Sequence, residues 1–201
     1  MFQESDFIKY KNLSLATDPI QDKPRRLYDK KVWCFNKQVI FKQYYIENKY
    51  FFDSFLQRIG FFKKLVTYNF EYKVNEKNIQ ILSEFIPRKK VDYTKRIDFN
   101  AEYIIYTNQI LNQDVFFYFD DPSLKNFHYN GHGFHLIDES KLNFCRKDKR
   151  YAEIFLFSTF KEGLKTDIEA ELYHVEDQNK LYSLYDQMHA SIKIIIENIF
   201  Q

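Results

Sequence analysis

The sequence predicts an α+β domain: a mainly antiparallel sheet covered by helices, with a long amphipathic C-terminal helix. Three observations carry that expectation. Segments of alternating polarity crowd the middle of the chain. The final segment, 178–200, sets Leu181, Leu184, Tyr185, Met188, Ile192, Ile195 and Ile199 at helical spacing. The 22 Phe and 16 Tyr among 201 residues supply bulky side chains that suit strands and bury large areas. Strands in the middle and a helix at the end suggest a sheet with helices on one side. The length fits a single domain over 1–201, with 1–26 as an N-terminal arm and loop. A chain of this size buries about 70% of the surface its unfolded form exposes, enough for a sizeable core.

The elements follow in order. Residues 2–15 read as a helix or arm. Two prolines and mixed charge make 17–26 a loop. Residues 27–34 and 38–46 read as strands joined by a short turn, and the second has apolar groups on both faces. In 49–60, Phe51, Phe52, Phe55, Leu56 and Ile59 recur at helical steps, and Gly60 supplies a stop. The alternation of Val66, Tyr68, Phe70, Tyr72 and Val74 predicts a strand over 65–74. Asn75 as a cap, a stripe of Ile79, Leu82, Phe85 and Ile86, and Pro87 as terminator predict a helix over 75–87. Aromatic and β-branched content predicts strands at 91–99, 101–110, 114–120 and 151–160. Residues 167–175 fit strand or helix.

Charge and cysteine usage bound the function. The net charge is +2, but residues 162–201 hold eight acids against three lysines, leaving the rest of the chain basic. Such a split can steer a partner. Basic stretches at 23–26, 88–90, 95–96 and 145–150 lie near aromatics, as single-stranded nucleic acid would require. The near-neutral total argues against nucleic acid as a partner. Cys34 and Cys145 make no CxxC spacing and read as reduced thiols of a cytoplasmic protein. No segment is long and apolar enough to predict a membrane span, and the first residues show no continuous apolar stretch of a signal peptide.

Three of the five histidines fall within HYNGHGFH, residues 128–135. The H-x3-H-x2-H spacing would gather imidazoles round zinc on a helix. Two glycines inside the spacing disfavour that helix, and Asn130-Gly131 is a strong hairpin signal. A two-residue turn there pairs Tyr129 with His132, Phe127 with Phe134 and Asn126 with His135. His128 and His135 then lie diagonally on one face with Asn126, about 7–8 Å apart between backbone positions. His132 points the other way, so no metal site is expected. A histidine pair with Asn126 is suited to acid–base phosphodiester cleavage or to recognition.

Other motifs are few. FDDPS, 119–123, sets two carboxylates before a proline; Asp before Pro reads as an ordinary type I turn. No GxGxxG, P-loop, GxSxG or HExxH is present, and four glycines leave little for a backbone phosphate cradle. The sequence reading is therefore a non-enzymatic, cytoplasmic protein-binding domain without cofactor. Its concrete form is a bacterial immunity-type inhibitor whose partner is a basic toxin enzyme. Asn126, His128, His135, Glu169, Glu171, Glu176 and Asp177 form its expected binding surface. The alternatives are a metal-independent phosphodiesterase or nuclease using His128, His135 and Asn126, and a nucleic-acid-binding protein.

Overall fold

The computed structural model describes residues 1–89, 94–111, 113–123, 125–169 and 178–201. The chain forms two compact units, Met1–Ile86 and Pro87–Gln201. It is α+β with an antiparallel sheet and a C-terminal helix, as the composition and periodicity predict.

The first unit contains α1 (Glu4–Leu15), β1 (Gln21–Pro24), β2 (Asp29–Phe35), β3 (Val39–Tyr45), α2 (Lys49–Leu65), β4 (Phe70–Asn75) and β5 (Asn78–Glu84). Its five strands run antiparallel in the order β1-β2-β3-β5-β4. Three residues, 36–38, join β2 to β3, and Asn36 and Lys37 both take left-handed backbone with φ of 53°. α2 interrupts the strand sequence after β3, and β5 rather than β4 lies beside β3.

The sheet has a helix on each face, where the sequence suggested one covered side. On one face Phe7 of α1 packs with Trp33, Val39, Phe41 and Leu82. The Trp33 indole N–H donates to the Thr17 carbonyl at 3.0 Å. On the other face the α2 ring of Phe55 sits 4.8 Å from Tyr44, and Phe62 sits 5.0 Å from Phe70. Phe55, Ile59 and Phe62 of α2 are fully or almost fully buried at helical spacing.

Burial from both sides explains the expectations that fail here. β5 is buried at Ile79, Ile81, Leu82 and Ser83, so a two-sided strand mimics a helical stripe. The expected helix over 75–87 is instead the second half of a hairpin, turned at Glu76 with φ of 48°. The strand expected over 65–74 is only β4, because α2 continues through Gly60 to Leu65. Lys63 and Lys64 in its last turn complement the helix dipole. β1, outermost in the sheet and ending at Pro24, lies inside the segment expected as loop.

The second unit contains α3 (Thr94–Leu111), β6 (Val115–Phe119), β7 (Phe127–Tyr129), β8 (Phe134–Leu136), a 3₁₀ turn (Glu139–Lys141), β9 (Leu142–Arg146), α4 (Lys149–Glu169) and α5 (Gln178–Ile199). β6 pairs with β9, and β7 with β8. α5 packs against α3 and α4, and buries Leu184, Met188, Ile192, Ile195 and Ile196. The strand expected at 101–110 is helix, as are the described residues 94–99 of the one expected at 91–99. Ile97, Ala101, Ile104 and Leu111 are buried at steps of three, four and seven. The strand expected at 151–160 belongs to α4, where Ala152, Leu156, Phe160 and Leu164 recur every four residues. Both segments are rich in Ile, Phe and Tyr, and tertiary packing overrides that strand preference. Of 167–175, the first three residues end α4 and the rest lie outside the described residues. Among the described residues no helix is long and apolar enough to cross a membrane. Cys34 and Cys145 are free thiols.

Candidate active site

The histidine stretch does form a hairpin, with a longer reversal than the two-residue turn expected. β7 and β8 pair Phe127 with Leu136, His128 with His135, and Tyr129 with Phe134. The reversal therefore takes residues 130–133. Gly131 has φ of 105°, and the Asn130 side chain accepts from the His132 and Gly133 backbone N–H groups at 2.9 and 3.1 Å. An Asn carbonyl satisfying two loop donors stabilises the wider turn. The register slips by two residues, which preserves the faces. Phe127, Tyr129, Phe134 and Leu136 share one side. His128 and His135 are directly opposed on the other, rather than diagonal. His132 is exposed on the loop.

Asn126 does not join the histidines as expected. It is 7% exposed, and its side chain turns back into the preceding acidic loop. Its Nδ2 donates to the Asp121 carbonyl at 2.8 Å and to Ser123 Oγ at 3.4 Å. The backbone N–H groups of Asn126 and Phe127 donate to the Ser123 carbonyl. Glu169 is the last residue of α4, with its side chain outside the description; Glu171, Glu176 and Asp177 lie outside the described residues.

The acidic loop is the unusual feature of the unit. Asp121 has φ of 98°, a region that residues other than glycine rarely adopt. One carboxylate oxygen, Oδ1, is buried with no hydrogen-bond partner. The other, Oδ2, lies 3.7 Å from the Lys141 ammonium. Neighbouring elements hold the loop from both sides. Asn108 of α3 pairs with both the N–H and the carbonyl of Phe117 in β6, each at 2.9 Å. Asn100 of α3 donates to the Pro122 carbonyl at 3.1 Å. The Asp120 N–H donates to the Lys141 carbonyl at 2.8 Å, which ties the loop to the 3₁₀ turn. That turn begins at Asp138, whose Oδ1 accepts from the Ser140 N–H and hydroxyl at 3.1 and 2.7 Å.

The arrangement thus brings an acidic loop after β6, an amide at the start of β7 and a carboxylate just after β8 under common backbone control. Asn126 spends Nδ2 on the loop, so Oδ1 is its acceptor for anything else. Asp121, Asn126 and Asp138 are all hard oxygen donors, the type that suits Mg²⁺ or Ca²⁺. Among the described residues no three His, Cys, Asp or Glu groups gather to hold a metal. A cation here would therefore take Asn126 and Asp138 as protein ligands and complete its shell with phosphate oxygens and water, as Mg²⁺ commonly does.

No family model matches the chain, and no curated protein matches it. Among solved structures, an amicoumacin kinase, hAmiN, in complex with AMP-PNP, Ca²⁺ and Ami is similar with a TM-score of 0.53. It is 9% identical, and the match covers 100% of this chain and 79% of that one. The fold is kinase-like. The streptomycin–ATP–APH(2")-IIa ternary complex also matches, with a TM-score of 0.40 and 12% identity.

This fold overturns the sequence reading of a non-enzymatic, immunity-type toxin inhibitor. That reading rested on missing catalytic motifs; of those sought, G-x-G-x-x-G belongs to the kinase template, and the chain lacks it. Nor does the fold support the histidine-pair hydrolase or the nucleic-acid binder. The signal missed was spacing. Asp121 and Asn126 stand at the distance of the Asp and Asn in the kinase catalytic loop, H-R-D-x-x-x-x-N, with a further Asp at the end of the next hairpin. Val39-Ile40-Phe41-Lys42 on β3 likewise matches the strand lysine of V-A-I-K. The departures are Phe119 and Asp120 in place of His and Arg, Glu139-Ser140 in place of Phe-Gly, and no glutamate in α2.

Proposed function

We propose that the chain is a small-molecule phosphotransferase, moving the γ-phosphoryl group of a nucleoside triphosphate to an acceptor hydroxyl. One observation carries this reading. Asp121 holds a buried, unpartnered carboxylate oxygen on left-handed backbone, five residues before an asparagine that pins the loop. Backbone strain and an orphaned acceptor are both unfavourable, and they persist where a site uses them.

In this reading the Asp121 carboxylate takes the proton of the acceptor hydroxyl. The hydroxyl oxygen forms a bond to the γ-phosphorus, the bond to the β–γ bridging oxygen breaks, and the diphosphate leaves with that electron pair. Lys141 steadies the carboxylate that receives the proton. Asn126 and Asp138 would hold a divalent cation, which supplies charge neutralisation for the phosphates when bound. In the first unit, Lys42 on β3 has the sequence context of the template's strand lysine. The neighbour's AMP-PNP and Ca²⁺ fit this assignment in kind. A triphosphate-using enzyme with free thiols belongs in the cytoplasm.

Radiolabelled ATP with Mg²⁺ and hydroxyl-bearing acceptors, amicoumacin among them, tests the reading. Asp121→Asn is expected to lower transfer by about a hundred- to ten-thousandfold with the fold retained. Unchanged turnover in that variant, or no triphosphate binding by the wild type, would sink it.

A further inference from the structure

Beyond the strand lysine, the first unit buries a second one. Lys30 of β2 is 4% exposed and Lys42 of β3 is 6% exposed. The β2–β3 register pairs Lys30 with Tyr44 and Val32 with Lys42. Lys30 and Lys42 are therefore diagonal neighbours on one sheet face, about 7–8 Å apart between backbone positions. The Lys30 ammonium lies 5.4 Å from the centre of the Tyr44 ring, which holds it over the sheet. This is the face that α2 covers, since Phe55 packs on Tyr44. Between Phe55 and Phe62 that helix carries Arg58. Its one acid, Asp53, is exposed. Three cations thus gather on one side of this sheet.

The strand connection that precedes Lys30 is equally unusual for a protein that binds phosphates. A phosphate cradle of backbone N–H groups needs glycine for close approach. The β1–β2 connection is Arg25-Arg26-Leu27-Tyr28, closed by the Arg25 N–H to the Tyr28 carbonyl at 2.9 Å. The chain's glycines stand at 60, 131, 133 and 163, none of them near it. Side-chain ammonium groups bind phosphate without such an approach, through charge-assisted hydrogen bonds.

We infer that Lys30 is a phosphate-binding residue, which with Lys42 holds the nucleotide's phosphate chain by side-chain charge in place of a glycine-rich cradle. The inference rests on the phosphotransferase reading and adds to it a residue on a strand where the kinase template has none. Calorimetric titration of the full-length protein with AMP-PNP and with adenosine tests it. Lys30→Gln is expected to weaken AMP-PNP about tenfold while leaving adenosine unchanged. Lys30→Arg should restore most of the loss. Lys31→Gln, on the opposite face and paired with Asp22 at 3.3 Å, should change neither ligand. A misfolded variant lowers both affinities together, and Lys30→Met, which keeps the buried stem, then gives the deciding ratio. AMP-PNP binding that survives in the Lys30 variants but falls in Lys42→Gln overturns the inference and leaves the phosphotransferase reading standing. A wild type that binds neither ligand overturns both.

Discussion

Asp121 combines two unfavourable features at one position: a φ of 98° and a buried carboxylate oxygen without a donor. Glycine at that position removes both. Asp121→Gly is therefore expected to raise unfolding stability by about 1 kcal/mol. Phosphoryl transfer should be lost in the same variant. Thermal melts beside a transfer assay check the pair of outcomes, and a destabilised glycine variant would show that the strain has no functional origin. Cys145 makes a second prediction. Burial, and then the nearby Asp148 carboxylate, push its thiol pKa up. The unfolded thiol thus ionises first as pH rises. The stability linked to Cys145 is complete below the ordinary thiol pKa and declines as pH climbs from there towards the folded value. Melts across that range should fall less steeply for Cys145→Ser. At this scale the sequence showed the reversal at Asn130 and Gly131, because those two residue types have few other uses side by side. It did not show Asp121, because an aspartate before proline has the same letters in a strained loop as in a common turn.

Among the elements, α2 shows how a local signal can be correct and still misplaced. Gly60 carries the mark of a helix stop, yet the helix runs five residues further because Phe62 and Leu65 continue its buried stripe. A Cβ at Gly60 would meet only the Tyr72 hydroxyl, at 3.9 Å. Gly60→Ala should therefore stabilise the protein by about 1 kcal/mol, the propensity difference inside a helix. Denaturant midpoints measure this, and a lower midpoint would mean that the helix needs glycine for another reason. Elements with one buried side, α5 above all, were legible because their period survives in the letters. β5 was not, since helices on both faces of its sheet erase the alternation. α3 and α4 were not, since their β-branched and aromatic content argues for strands until packing partners are known.

For the molecule as a whole, the α+β class was legible and the chemistry was not. In the second unit Asp121, Asn126 and Asp138 are spread over the loop and hairpin of 121–138, and each has an ordinary structural reading by itself. Only the fold ranks them. The same chain places a strand rich in open backbone groups at the rim of its five-stranded sheet. β1 answers that exposure with Pro24, which lacks an N–H, and with charge at Asp22. Pro24→Thr should therefore leave a template for another molecule's strand. Accelerated fibril growth under mild heating, followed by dye fluorescence, is the expected outcome, and a growth rate equal to the wild type would contradict it. In a chain with this many aromatic residues, a single pyrrolidine ring thus helps close one border of the sheet to recruits.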